Sequence, residues 1–209
     1  MTDDAAVPAL TGGALTRSRI LDAAARLMST AGIVRTTTKE IARAAGCSEA
    51  ALYKHFQDKE EIFVRVLHER APRLAQAVTE LPGRAGDGDV AGHLREVVGI
   101  AVGFYRESFP MAASLFASPE LLAAHRRKLA PGTGPEVPTR HLADYLRAEQ
   151  RLGRVAADVN ADAAATLLIG ACFHRAFLDL FFSSAAQDDE QFAADIVHAA
   201  LDGIAADNS

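Results

Sequence analysis

The chain has 209 residues, 49% of them apolar, with two cysteines and no tryptophan. That length buries a core without staples, and Cys47 and Cys172, far apart and without CxxC or metal-ligand spacing, exclude a disulfide framework and fit a reducing cytoplasm. The net charge of −5 speaks against a nucleic-acid partner for the chain taken as a whole. No run of eighteen or more uncharged apolar residues occurs, so no transmembrane span is expected. Residues 1–14 carry acids where a secretory signal needs bases and are expected to be a disordered tail before a soluble intracellular domain.

Residues 16–31 place Ile20, Leu21, Ala24, Leu27 and Met28 on one helical face, with Thr16 as N-cap, Gly32 as stop and Val34 buried after it. Thr37 and Glu40 form a capping box that opens a second helix, and Gly46 ends it in a left-handed conformation. Ser48 caps a helix over 49–56 with Leu52 and Phe56 inward. Asp58 and Glu61 form a second capping box that opens a long amphipathic helix, which Pro72 kinks near Ala71. Residues 82–89 are a Gly-rich loop. Further helices are predicted at 90–108, stopped before Pro110, at 111–117, at 119–130, at 139–150, at 160–182 and at 188–206, with a loop over 131–138. No strand pattern or internal repeat is visible. The fold class is all-α, with about nine or ten helices.

The charge is unevenly placed. Residues 16–59 hold eight Lys/Arg against four Asp/Glu, whereas residues 60–209 hold fourteen against twenty-one. A small basic module is therefore joined to a larger acidic body. Within the module, residues 38–56 have the shape of a helix-turn-helix. Ala42 allows close crossing, Gly46 makes the turn, and Ile41, Cys47 and Leu52 form a miniature core. The second helix is too short to be stable alone. It turns Glu49, Ala50, Tyr53 and Lys54 outward, toward a space that fits a major groove.

Residues 16–63, "TRSRIL" through "LYKHFQDKEEIF", resemble the DNA-binding domain of the TetR (tetracycline-repressor-like) family. The remainder resembles that family only in helix layout. The resemblance implies a domain over 15–60 that binds double-stranded DNA at a palindromic operator, and a ligand-binding and dimerisation domain over 61–209. It implies phosphate contacts from Thr38, Lys39 and Lys59, and DNA contacts from Ser48, Glu49, Ala50, Tyr53, Lys54 and His55. Arg17 and Arg19 either reach the DNA backbone or stay solvated. His55 either reaches a phosphate or packs on the next helix. Glu49 either accepts from cytosine N4 or complements the helix dipole.

The helices at 160–182 and 188–206 are too apolar for a lone surface layer. The resemblance implies that they form a four-helix bundle with a second copy. It also implies a cavity for a small-molecule effector. Candidate lining residues are Phe104, Tyr105, Met111, Phe116, Tyr145, Cys172, Phe173 and Phe177, with His125, His174 and Arg175 as polar groups. Each aromatic has core packing as its alternative, and Arg175 has a pairing with Asp179. No HExxH, Walker or GxSxG motif occurs, so no enzyme, catalytic residue, metal site or cofactor is expected. The expected function is a homodimeric, cytoplasmic, ligand-responsive regulator, most simply a repressor released by a largely apolar effector. A thiol redox sensor using Cys172 or Cys47, and a regulator controlled by a protein partner, stand beside it.

Overall fold

A computed structural model describes residues 12–70, 72–183 and 188–202. Among these are ten α-helices, one 3-10 turn over Leu81–Arg84, and no strand: α1 Gly12–Arg35, α2 Thr38–Ala44, α3 Glu49–Tyr53, α4 Lys59–Arg70, α5 Pro72–Glu80, α6 Val90–Phe116, α7 Pro119–Lys128, α8 Val137–Arg151, α9 Ala161–Phe182 and α10 Asp189–Asp202. The chain divides into two compact units. The first is Met1–Arg70 with Ala113–Arg126; the second is Ala71–Ala112 with Arg127–Ser209. Most of the expected tail lies outside the described residues, as does Ala71, where a kink was expected.

In the first unit α1 packs on α4 and α2, and α2 on α3. Ile20, Leu21, Met28, Ile41, Leu52, Phe56, Ile62 and Phe63 fill the core. Burial of Ile62, Phe63 and Val66 places α4 in this unit, whereas the sequence suggested a boundary at residue 60. Helix α1 begins earlier than predicted, so Thr16 lies inside it and bonds back to the Gly12 carbonyl at 2.9 Å instead of capping. Gly32 breaks α1 with φ 75° and ψ 163°, a region open essentially to glycine, and a Cβ there would lie 2.2 Å from Ser114 Oγ. The turn it makes reverses the expected register: Ile33 is buried, and Val34 is 54% exposed.

The second unit packs α8 against α5, α9 and the 3-10 turn, and α10 against α9. Leu74, Val78, Leu94, Val97, Val98, Leu142, Tyr145, Leu168, Ile169 and Cys172 form its core. Helix α6 runs through Pro110, where a stop was predicted. The proline removes one donor and costs about 3 kcal/mol. Burial of Val102 and Ser108 before it and of Met111 and Leu115 after it outweighs that cost.

Two polar groups organise this unit. Arg106 donates to Asp179 at 2.6 and 3.1 Å and to Asp189 at 2.9 and 3.0 Å. Arg175 adds an ion pair to Asp179 at 3.2 Å, and its guanidinium lies 5.3 Å from the Phe192 ring centre. These bonds hold the Arg106 guanidinium far above its ordinary pKa and the Asp189 carboxyl below the usual carboxylate value. In the second group Glu149 is fully buried. It accepts from the Gly86 N–H at 3.3 Å, and Arg154 Nε lies 3.3 Å away. Tyr145 Oη lies 2.9 Å from His93 Nδ1. Burial first, then Glu149, pushes the Tyr145 hydroxyl well above the usual tyrosine pKa.

By length and composition α9 could cross a membrane, with a mean hydropathy of 1.5 over its most apolar window. It carries Asp162, Arg175 and Asp179, and the last two are ion-paired within the unit.

Candidate nucleic-acid interface

The helix-turn-helix is built by local hydrogen bonds that the residue types dictate. Thr37 Oγ1 accepts from the Glu40 N–H at 3.2 Å, and Glu40 Oε2 accepts from the Thr37 N–H at 2.9 Å. That reciprocal box lowers the Glu40 pKa. At the other end of α2, Cys47 N–H reaches the Ala42 carbonyl at 3.0 Å and Gly46 N–H the Arg43 carbonyl at 3.1 Å. This pattern needs a left-handed residue between them, and Gly46 has φ 67°. The same glycine leaves room for Arg19, whose Nη2 would lie 2.4 Å from a Cβ.

Ser48 Oγ accepts from Ala51 N–H at 3.1 Å and starts α3. This helix is five residues long and ends before the predicted 56. Its fixation comes from Leu52 and Phe56, both buried. Arg17 covers Phe56, its guanidinium 5.4 Å from the ring centre, so this candidate DNA contact is turned onto the domain's own surface. His55 is half-buried, with Cε1 3.9 Å from where a Gly13 Cβ would stand, and so packs toward the start of α1. The second capping box is a variant. Asp58 Oδ1 accepts from Glu61 N–H at 2.7 Å, but Glu61 reaches back one residue further, to Gln57 N–H at 2.7 Å.

Lys39, Ser48, Ala50 and Lys54 are exposed, and Tyr53 is 51% exposed. An open depression lined by Thr37, Thr38, Tyr53, Gln57, Asp58, Lys59 and Glu60 brings three of the candidate residues together: Thr38, Tyr53 and Lys59. Glu49 is half-buried and accepts from Thr38 Oγ1 at 2.6 Å. That bond spans eleven positions and the turn, so helical periodicity carried no sign of it.

The effector candidates separate into groups. Phe104, Tyr105, Phe173 and Phe177 join one aromatic row, in which Tyr105 and Phe173 have ring centres 5.5 Å apart. Phe109 and Phe181 complete the row, at 5.2 Å from Phe173 and 5.6 Å from Phe177. Neither was singled out from the sequence, although 173, 177 and 181 share helical spacing. Met111 is buried, and Tyr145 sits in the core with His93. His174 is exposed, and Arg175 is committed to Asp179. Phe116 does not join them: it belongs to the first unit and is 72% exposed. His125 also lies in the first unit, edge-on to Phe63 at 5.5 Å. Both follow from α6 continuing past Pro110 and α7 grouping with the first unit.

Cys172 is fully buried, bonding to the Leu168 carbonyl at 3.1 Å, and burial pushes its thiol up to about 12. The reactive species is the thiolate, so this weighs against a sensor role for Cys172. A thiol reagent should label Cys47 in the native protein and Cys172 only after unfolding; rapid native labelling of both would contradict this burial. Burial also pushes the Tyr105 hydroxyl up to about 12. Both groups keep their protons longer folded than unfolded. Their stabilisation is therefore intact below pH about 9 and is lost as pH rises toward about 12. Melting temperatures between pH 8 and 11 should fall accordingly. Among the described residues, no group of three His, Cys, Asp or Glu side chains is placed to hold a metal.

Residues 20–66 match the family described as bacterial regulatory proteins, tetR family. This N-terminal segment is thus similar to the tetR family. It is 36% identical over 83 residues to the HTH-type transcriptional regulator AcrR of Shigella flexneri, covering 40% of this chain and 38% of that protein. Over 196 residues it is 26% identical to the uncharacterized HTH-type regulator YdgC of Bacillus subtilis, covering 92% and 94% of the two chains. In fold it is similar to the regulator FadR from Bacillus subtilis, solved in complex with stearoyl-CoA, with TM-score 0.70, 15% identity, and 90% and 99% coverage. AcrR and YdgC are both described as transcriptional regulators.

Proposed function

We propose that this chain is a ligand-responsive DNA-binding transcriptional regulator, working in the cytoplasm as a homodimeric repressor released from a palindromic operator by a small, largely apolar effector. The observation that carries the DNA-binding half is the short α3 with its C-cap, which exposes Ala50, Tyr53 and Lys54 in a locally basic module, Lys59 lining the same depression as Tyr53. The dimer half rests on α9 and α10, which leave Leu167 (72% exposed), Phe181, Phe182 and Leu201 open to solvent. The aromatic row of Tyr105, Phe109, Phe173 and Phe177 supplies the apolar surface for an effector. The effector acts by favouring a conformer in which the two recognition helices no longer match successive major grooves, which requires differential affinity for the two states.

The test is DNA binding across a salt series. Lys54→Ala should abolish sequence-specific retardation while the oligomer persists. Lys59→Ala should weaken binding to all sequences and reduce the slope of log K against log salt by about 0.9 per protomer. Wild-type behaviour of both variants would sink the assignment of this face. In light scattering, Phe181→Glu should yield monomers; an unchanged mass would remove α9 from the interface.

A further inference from the structure

One hydroxyl hydrogen sets the direction of a chain of three residues across the turn. Thr38 Oγ1 donates to Glu49 Oε1 at 2.6 Å, since a carboxylate has no hydrogen to give. Thr38 has only that one hydrogen. Its contact with Tyr53 Oη, at 3.2 Å, must therefore be donated by the tyrosine. The chain runs from Tyr53 through Thr38 to Glu49, and it ties both ends of α3 to the first residue of α2.

We infer that Glu49 is a positioning residue and not a base reader: it orients Thr38, and through it Tyr53, for the phosphate path. This rests on the DNA-binding reading proposed above. A five-residue helix has too few internal bonds to fix its own rotation. Leu52 and Phe56 hold it down, and the charge-assisted bond to Thr38 fixes how it is turned. Reaching a cytosine would force Glu49 to abandon Thr38 and carry its charge toward the phosphates. With the bond kept, the Thr38 oxygen can only accept, so it gives no hydrogen to a phosphate. The side-chain donors lining the shared depression are then Lys59, the Gln57 amide and Tyr53, whose hydroxyl Thr38 holds in place until its hydrogen turns to a phosphate.

The experiment uses the full chain to select binding sites from a random duplex library and then measures affinities for the selected site. Wild type is compared with Glu49→Ala, Glu49→Gln, Thr38→Val and the Glu49→Ala/Thr38→Val pair, with helicity and melting recorded for each. Glu49→Ala should bind about tenfold more weakly to every sequence, with the selected base preference unchanged. Glu49→Gln, whose amide oxygen accepts the same hydrogen bond, should recover most of that loss. Thr38→Val should lose as much as Glu49→Ala, and the double variant no more than either. A changed preference at one operator position in Glu49→Ala, or losses that multiply in the pair, overturns the inference alone. If wild type enriches no sequence, the DNA-binding reading itself falls, and the inference with it.

Discussion

Phe56→Ala should cost the first unit about 3–5 kcal/mol, the range for emptying a buried aromatic site, and should lower specific DNA affinity more than any surface change. The ring is buried, Arg17 lies over its outer face, and its backbone N–H closes onto the Leu52 carbonyl at 3.1 Å. Removing it leaves Leu52 as the single large anchor for α3 and strips Arg17 of its stacking surface. Domains of this kind are stable by about 5–15 kcal/mol, so the loss is a large share of the total. Thermal melts followed by helicity, with gel shifts well below the melt, separate unfolding from mispresentation. Phe56→Leu should retain most of both properties. An unchanged melt together with unchanged binding in Phe56→Ala would mean that α3 is held by something else.

Asp179→Ala should destabilise the second unit by a similar amount, about 3–5 kcal/mol, because it removes one partner of a buried ion pair. The Asp179 and Arg175 side chains are 10% and 8% exposed, and Asp179 is also the nearest partner of Arg106. Without it Arg175 loses its ion pair at 3.2 Å, and Asp189 stands farther off at 3.8 Å. Asp189→Ala should cost less, since that side chain is 37% exposed and water can replace it. Replacing Asp179 and Arg175 together by leucine and methionine should recover much of the loss. If the single and double variants melt alike, the charge was not the cause. The lowered pKa of Asp189 has the opposite sense to those of Tyr105 and Cys172. Its stabilisation is present above the ordinary carboxylate range and is lost as pH falls through it.

Features that depend on neighbours within four or five residues were legible in the sequence. The Thr37–Glu40 box, the Gly46 turn, the Ser48 cap and the burial of Leu52 and Phe56 all follow from local hydrogen bonding and helical spacing. What was missed depends on distant partners. Continuity of α6 through Pro110 is decided by burial on both sides of it, and the exposure of Val34 by a glycine conformation that turns the chain. Arg106 had no apparent role because its acids lie 73 and 83 positions away. The candidate interface shows the same division. Lys39, Ala50, Tyr53 and Lys54 project as helical spacing requires, but the tie from Thr38 to Glu49 closes only when two helices meet.

The buried pairing of His93 and Tyr145 carries a consequence for the histidine's tautomer. His93 Nδ1 and Tyr145 Oη lie 2.9 Å apart, so one hydrogen stands between them. When the imidazole supplies it, the neutral ring keeps its lone pair on Nε2, the ring atom nearest Gly88; when the tyrosine supplies it, Nε2 carries the hydrogen instead. A hydroxyl on α8 thus sets which ring nitrogen of a residue on α6 carries the lone pair. In Tyr145→Phe that choice is returned to the histidine, and its imidazole nitrogen-15 shifts should register the change.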